Sequence, residues 1–575
     1  MIDKKDVIHT LEEMAVLMDL KGENPFKIRA FSNAARTLQG VSGDINHLVE
    51  SGEIGKIKGI GKSISEVITE LVKTGKSSNL EELRASTPPG MIDMLKIPGM
   101  GPKKVKAVWE KLGISTVGEL EYACNENRLV DLEGFGQKTQ EKILVGIGML
   151  KKYAEKHLLS VARGEAEALY EQVKNLPGVI RSDIAGSIRR WKETIKDIDL
   201  LISAEDSDRD QIMDSFTKLP QVELIVAKGN TKSSVTLKTG INADLRIVND
   251  EQFPYALHHF TGFKEYNVAM RGHAKKMNLK MNEYGLFRGE AQNVPCQAET
   301  DIFRELGMQY IPPELRENYG EIQAALNKDI PGLIEWDDIR GVIHVHSNYS
   351  DGANTILEMA EASRKMGYQY MVLCDHSKNA TYANGLQVDR VIRQHKEIEE
   401  INKTLNGFSI LRSIECDILA NGDLDYPDDV LATFDLVIAS VHYKFSMSEE
   451  EATERVLKAI RNPYVTILGH PTGRLLLARE GYPINMPMVI EAAGEFGVSI
   501  ELNANPHRLD IDWRLLKESK KNGVKISINP DAHRIEGIND IRYGVGIARK
   551  GWLCKEDVLN CLAADELMQF AKRRR

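Results

Sequence analysis

The chain has 575 residues, a formal net charge of −9 and a sequence pI near 6.0; at ~150 residues per domain it is too long for one core and implies several modules. The acidic balance excludes a uniformly basic nucleic-acid coat but not a local basic groove, and six scattered cysteines without a CxxC pair exclude a disulfide frame and a zinc finger. No run reaches the ~18 apolar residues of a membrane span and the N-terminus lacks a signal-peptide core, so a soluble cytosolic protein is expected.

In chain order, the first signal is a glycine turn in three copies: "IKGIGKSISEVI" with Gly59 and Gly61, "IPGMGPKKVKAV" with Gly99 and Gly101, and "LEGFGQKTQEKI" with Gly134 and Gly136. Each reads apolar-x-Gly-apolar-Gly and leads into a helical pattern. Glycine permits the tight turn, and the amides at the following helix N-terminus suit an anion. Lys62, Lys103, Lys104 and Lys138 follow directly and add charge toward a phosphate. One copy would fit a mere packing turn; three point to a phosphate backbone.

The next segment, "SDIAGSIRRWKETIKDIDLLIS", sets a Gly-Ser turn and two arginines ahead of Asp197 and Asp199, and "INADLRIV" supplies Asp244 on a further predicted strand. Residues two apart on a strand share a face, so Asp197 and Asp199 point the same way. Three carboxylates on adjacent strands can hold two Mg²⁺ ions for in-line phosphoryl transfer. A D-x-D pair alone is common and carries little.

A linker, "AALNKDIPGLIEWDD", breaks at Pro331 and Gly332. Beyond it, short β-branched apolar runs alternate with helical stretches, and most of the runs end in a ligand-type residue: His344 and His346, His376, Glu415, His442, His470, then Asp531 and His533. About seven strand-then-helix units of this kind close most readily into a barrel, whose functional groups gather at the C-terminal strand ends. Imidazole with carboxylate oxygen suits Zn, Mn or Fe(II), and so many donors imply more than one ion. His395 and His507, in a predicted helix and a loop, are expected to be solvated, as is the basic C-terminal "AKRRR".

These motifs resemble known families. The barrel motifs, HxH at His344 and His346, SDG around Asp351, DH at His376, Glu415, His442, GHP at His470 and DAH at Asp531 and His533, resemble the trinuclear site of the PHP phosphoesterases. That resemblance implies one ion on His344, His346, Glu415 and Asp531, a second on Glu415, His442 and His470, and a third on Asp351, His376 and His533, for two to three Zn²⁺, Mn²⁺ or Fe²⁺ ions activating water against a phosphate ester. The turns look like helix-hairpin-helix elements, which grip DNA backbone without reading sequence and can hold Na⁺ or K⁺. GS-x-RR, D-x-D and D-L-R, continuing through "HHFTGFKEYNVAMRGHAKKMNLKMNEYGLF", resemble the core of family X DNA polymerases. Carried over, Asp197, Asp199 and Asp244 would be catalytic ligands for Mg²⁺ or Mn²⁺, Ser187 and Arg190 would contact the triphosphate, Phe260 and Gly262 would line the sugar, and Asn267 and Arg271 would probe the nascent pair. Two departures stand out: His259 replaces the family tyrosine before Phe260, and the lysine positions of the deoxyribose-phosphate lyase hold Val67 and Ser63, so lyase chemistry is expected only if Lys62 substitutes.

Polymerase core followed by PHP domain is the arrangement of the bacterial PolX proteins. It implies a multidomain chain: α-helical hairpin domains over 1–85 and 86–152, an α+β nucleotidyltransferase palm over 153–254, a thumb over 255–318, a linker over 319–336, and a distorted (β/α)7 PHP barrel over 337–575. The expected protein is a monomer of the bacterial cytoplasm, associated with the nucleoid through DNA, that acts on gapped or primer-template DNA and dNTPs in repair. Two readings remain beside it: a PHP small-molecule phosphatase, and a non-enzymatic DNA-binding scaffold whose metals stabilise the barrel.

Overall fold

A computed structural model describes residues 4–41, 45–130, 132–151, 155–289 and 292–575. The expected boundary at 152/153 lies outside the described residues. The chain divides into two compact units, Met1–Leu150 and Lys151–Arg575.

In the first unit the described residues are helical, from Lys4–Lys21 to Gln137–Lys151, and one apolar core runs from Val7 through Ile97 to Ile147. The two hairpin segments expected as separate domains therefore share a core. Gly59, Gly99 and Gly134 take φ of 101°, 87° and 87°, a region that side chains disfavour. The next residue, Ile60, Met100 or Phe135, is buried. Its amide donates to the carbonyl three residues back, on Ile57, Ile97 or Leu132, at 3.0, 3.0 and 2.9 Å. The second glycine then opens the helices Lys62–Thr74, Pro102–Leu112 and Gln137–Lys151.

The second unit begins with a five-stranded sheet: β1 (Val179–Ile184), β2 (Asp197–Ala204), β3 (Val222–Lys228), β4 (Lys232–Leu237) and β5 (Asn242–Val248), in the order β1-β2-β5-β4-β3. β2 and β5 are parallel and the other pairs antiparallel. Ile198, Leu200 and Ile202 of β2 pack with Ala162, Ala166 and Leu169 of the helix Leu159–Val173, which leaves Asp197 and Asp199 on the opposite face. The helices Phe253–Thr261 and Lys264–Lys276 and the hairpin Leu279–Asn282/Gly285–Arg288 form the thumb, whose separate core includes Tyr266, Leu286 and Phe303.

The C-terminal part is a ring of parallel strands: β6 (Gly341–Val345), β7 (Tyr370–Leu373), β8 (Ser409–Arg412), β9 (Glu415–Asp417), β10 (Ile438–Ser440), β11 (Ile467–Leu468), β12 (Ser499–Asn503) and β13 (Ile526–Asn529). β6-β7-β8 form one arc and β9 to β13 another. A bridge between His376 and Glu415 joins the arcs on one side, and Val345 with Ala532 closes the ring on the other. Because β8 and β9 are two halves of one pass, the ring has seven staves, as expected for a distorted (β/α)7 barrel.

Several expectations gain detail or change. The linker over 319–336 is structured: it holds the helix Glu321–Asn327, Tyr319 meets the Trp513 ring edge-on at 5.5 Å, and Ile334 donates to the Leu553 carbonyl at 2.9 Å. Palm and barrel pack directly, since a Cβ on Gly546 would lie 2.1 Å from the Trp191 ring. The basic tail is exposed at Lys572, Arg573 and Arg575 but is more than a solvated end: Arg573, Arg574 and Arg575 donate to the carbonyls of Gly497, Ile460 and Phe434 at 2.7, 2.7 and 2.6 Å, fastening the last helix to the barrel. His395 is half-buried against Phe434 at 4.9 Å, and burial pushes its imidazole down to about 4. His507 is also half-buried.

Candidate active sites and DNA interface

On the palm, the parallel register sets Asp199 of β2 beside Asp244 of β5, with Asp197 two residues before Asp199 on the same face. Burial first, and then the charges of Asp197 and Asp244, push the Asp199 carboxyl up to about 6, as desolvation and like-charge crowding both disfavour its ionised form. Asp244 accepts from Ser234 Oγ at 2.6 Å and pairs with Lys232 at 2.6 Å. Gly186 has φ of 63°, and a Cβ there would lie 2.2 Å from Asp199 Oδ2, so only glycine lets the Ser187 turn sit over this carboxylate. Arg246, two residues beyond Asp244, stacks over Phe260 at 4.4 Å.

The nucleotide-side residues are placed unevenly. Ser187 is partly exposed on the turn and Arg271 is exposed on the thumb helix. Arg190 is buried, with its guanidinium on Glu317 Oε1 at 3.0 Å and the Thr261 carbonyl at 2.6 Å, so in this conformation it is not open to a triphosphate. Asn267 is likewise buried and donates to the His259 carbonyl at 2.8 Å, bracing the His259-Phe260-Thr261-Gly262 turn. The two placements have one cause: a buried polar side chain settles on the nearest backbone or charged partner.

In the barrel, the nine expected residues converge at the strand ends. Glu415 is central: its Oε1 lies 2.8 Å from His470 Nε2, 3.0 Å from His442 Nε2 and 3.4 Å from His344 Nε2, and its Oε2 lies 3.0 Å from His376 Nδ1. Asp351 is 3.4 Å from His376 Nε2 and 3.3 Å from His533 Nε2, and Asp531 is 3.2 Å from His346 Nε2. Among the described residues, three donor groups have atoms all within 4.8 Å of one another: His346, Asp351, His376 and His533; His344, His346 and Asp531; and His376, Glu415 and His442. His346 and His376 are thus shared between groups, a less segregated arrangement than expected, and the His470 ring reaches the cluster through Glu415. His344 Nε2, both ring nitrogens of His346 and of His376, and Asp351 Oδ2 are buried without a hydrogen-bond partner. Unsatisfied imidazole and carboxylate atoms at this density fit borderline divalent ions. Burial would raise the Glu415 carboxyl, but His442, His344 and His376 hold it well below the usual range.

A supporting layer was missed. Glu501 on β12 accepts from His344 Nδ1 at 2.6 Å and from the His470 amide at 2.6 Å, and Asp417 lies 2.5 Å from His442 Nδ1. Asp375 receives the Ser347 amide at 2.8 Å and Gln394 at 2.6 Å, holding the turn that carries Asp351. Such partners fix the ring orientation of ligating histidines. The available signals were an acid within the apolar run "VSIELNAN" and the two-residue spacing from Glu415 to Asp417.

In the helical unit, Gly59, Gly61, Gly99, Gly101, Gly134 and Gly136 are exposed, as are Lys62, Lys103 and Lys138. A Cβ on any of Gly61, Gly99, Gly101, Gly134 or Gly136 would meet no atom within 4 Å, so these turns open outward. Lys104 instead covers the Phe135 ring at 5.4 Å. Val67 is buried in the core and cannot serve as an amine, while Lys62 is exposed at a helix start.

The comparisons with known proteins agree with this geometry. Family matches are a helix-hairpin-helix domain over residues 2–77, a SAM-like helix-hairpin-helix tandem over 91–148, the DNA polymerase beta thumb over 256–317 and a PHP domain over 343–505. A Bacillus subtilis (strain 168) protein named DNA polymerase/3'-5' exonuclease PolX is 41% identical over 575 residues, 99% of each chain. A probable phosphatase of Thermoanaerobacter sp. (strain X514) is 29% identical over 228 residues, 38% of this chain and 88% of its own, and one of Acetivibrio thermocellus is 30% identical over 202 residues, 33% and 78%. Polymerases and PHP phosphoesterases are metal-dependent enzymes, and hairpins with a polymerase thumb imply DNA binding. Two distinct carboxylate-centred sites and an end-to-end match place the chain in the PolX family, the family X DNA polymerases that carry a PHP domain.

Proposed function

We propose that this protein fills short gaps in DNA during repair by two-metal nucleotidyl transfer and trims DNA through its barrel as a 3'-5' exonuclease, with abasic sites and 3'-phosphates as further substrates. The observation that carries this reading is the presence, in one chain, of the Asp197-Asp199-Asp244 face and the nine-residue barrel cluster. Asp197, Asp199 and Asp244 would hold Mg²⁺ or Mn²⁺, which supplies Lewis-acid neutralisation of the charge that develops in phosphoryl transfer. Around it, Ser187 on its glycine-hinged turn and Arg190 bind the dNTP triphosphate. Phe260 and Gly262 line the sugar, and Arg271 faces the new pair while Asn267 fixes the backbone of the sugar-lining turn. Catalysis here is positioning and electrostatics, with no covalent intermediate.

In the barrel, His344, His346, Asp351, His376, Glu415, His442, His470, Asp531 and His533 would hold two to three Zn²⁺, Mn²⁺ or Fe²⁺ ions, whose contribution is water activation near neutral pH. Glu501 and Asp417 keep His344 and His442 oriented, each accepting from the Nδ1 that leaves Nε2 facing the cluster. The hairpin amides and Lys62, Lys103 and Lys138 track the DNA backbone, with Na⁺ or K⁺ held in the turns. The protein acts as a cytoplasmic monomer.

The test is a 5'-labelled primer in a short-gapped duplex with Mn²⁺ or Mg²⁺. Extension with dNTPs and shortening without them are expected. Shortening alone would leave the palm as a DNA platform, and hydrolysis confined to free phosphate monoesters would favour the activity named for the phosphatase relatives.

A further inference from the structure

Three charged side chains from distant parts of the chain meet in one buried spot. Arg190 comes from the turn after Ser187, Glu317 from the end of the thumb, and Lys550 from the end of the barrel helix Ile541–Lys550. Arg190 Nε donates to Glu317 Oε1 at 3.0 Å and its Nη1 to the Thr261 carbonyl at 2.6 Å. Lys550 Nζ donates to the same Glu317 Oε1 at 2.6 Å, to the Arg190 carbonyl at 3.0 Å and to the Glu314 carbonyl at 3.3 Å. Side-chain exposure is 7% for Arg190, 6% for Glu317 and 0% for Lys550. Burial pushes the Lys550 ammonium down to about 8, against the pull of Glu317.

Two cations on one buried carboxylate is an excess. A lone buried pair is stranded if either partner leaves, and the charge left behind is strongly destabilising. With Lys550 in place, Arg190 can leave and Glu317 stays paired. The other group Arg190 would release, the Thr261 carbonyl, is adjacent to Gly262 of the sugar-lining turn.

We propose that Glu317 and Lys550 are positioning residues for nucleotide binding: Arg190 is parked on Glu317 in the nucleotide-free protein and transfers to the incoming triphosphate, while Lys550 remains as the counter-ion of Glu317. The barrel thereby contributes a residue to the polymerase half. This rests on the reading of Arg190 as a triphosphate contact.

The test is steady-state dNTP incorporation by the full chain, with exonuclease activity as the folding control. Lys550→Met makes transfer strand a buried carboxylate, so KM for dNTP should rise by about ten-fold or more, with kcat and exonuclease activity unchanged. Glu317→Gln removes the competitor for Arg190, so KM should fall, and Lys550→Arg should stay near wild type. A purely structural network would move both variants the same way, and shifts of equal sign, or no shift in either, would overturn the inference. If Lys550→Met also lost exonuclease activity, Glu317→Gln would decide, an unchanged or raised KM refuting parking. A wild-type protein that incorporates no nucleotide would instead refute the reading of the palm itself.

Discussion

Replacing Gly186 by alanine tests the palm with a single methyl group. At φ of 63° an L-residue costs about 1–2 kcal/mol, and the new Cβ would lie 2.2 Å from Asp199 Oδ2, 3.1 Å from its Cγ and 3.2 Å from its Cβ. The turn cannot retreat freely, because the Ala185 amide donates to the Asp199 carbonyl at 2.8 Å. The carboxylate must therefore move by about 1 Å, and a misplacement of that size costs about 10²-fold in rate. Single-turnover incorporation on a gapped duplex should fall accordingly, with exonuclease activity retained and the melting temperature slightly lower. Incorporation within a few-fold of wild type would refute the placement of Asp199 as a metal ligand beneath the Ser187 turn.

Further expectations separate and probe the sites. Asp197→Ala with Asp199→Ala should abolish extension and spare degradation, and His344→Ala with His346→Ala should do the reverse; loss of both activities in either folded variant would contradict independent sites. Glu501→Gln should weaken metal affinity in the barrel by about 10- to 100-fold, read as metal retained against a competing chelator by elemental analysis. Asp199 binds its proton more tightly in the folded protein than in the unfolded chain, so the metal-free palm should lose stability as pH rises from the ordinary carboxylate range through about 6. The thermal shift on adding Mg²⁺ should grow over the same interval, since the ion binds the deprotonated form, and a pH-independent shift would remove Asp199 from the metal site.

Much of this architecture is local and hence legible. The hairpins could be read because a positive φ, a buried pivot and a helix start fall on consecutive residues, as at Gly59, Ile60 and Gly61. The Asp197 and Asp199 face follows from the two-residue period of a strand, and the barrel cluster from donors placed where parallel strands end. Glu501, Asp375 and Asp417 were harder, because an acid inside an apolar strand looks the same whether it carries a ligand or braces one.

What packing alone decided is who partners whom. Arg190 follows the glycine-serine turn in sequence, yet its carbonyl meets Lys550, 360 residues away. The tail arginines found barrel carbonyls, the linker became an interface, and His346 and His376 came to serve more than one donor group. The sequence by itself determined the elements, their faces and the chemistry at their ends, because those depend on backbone dihedrals and periodicity over a few residues. Only the tertiary structure decided which buried charge is satisfied by which distant group, because that choice is made by desolvation once all the candidates are confined together.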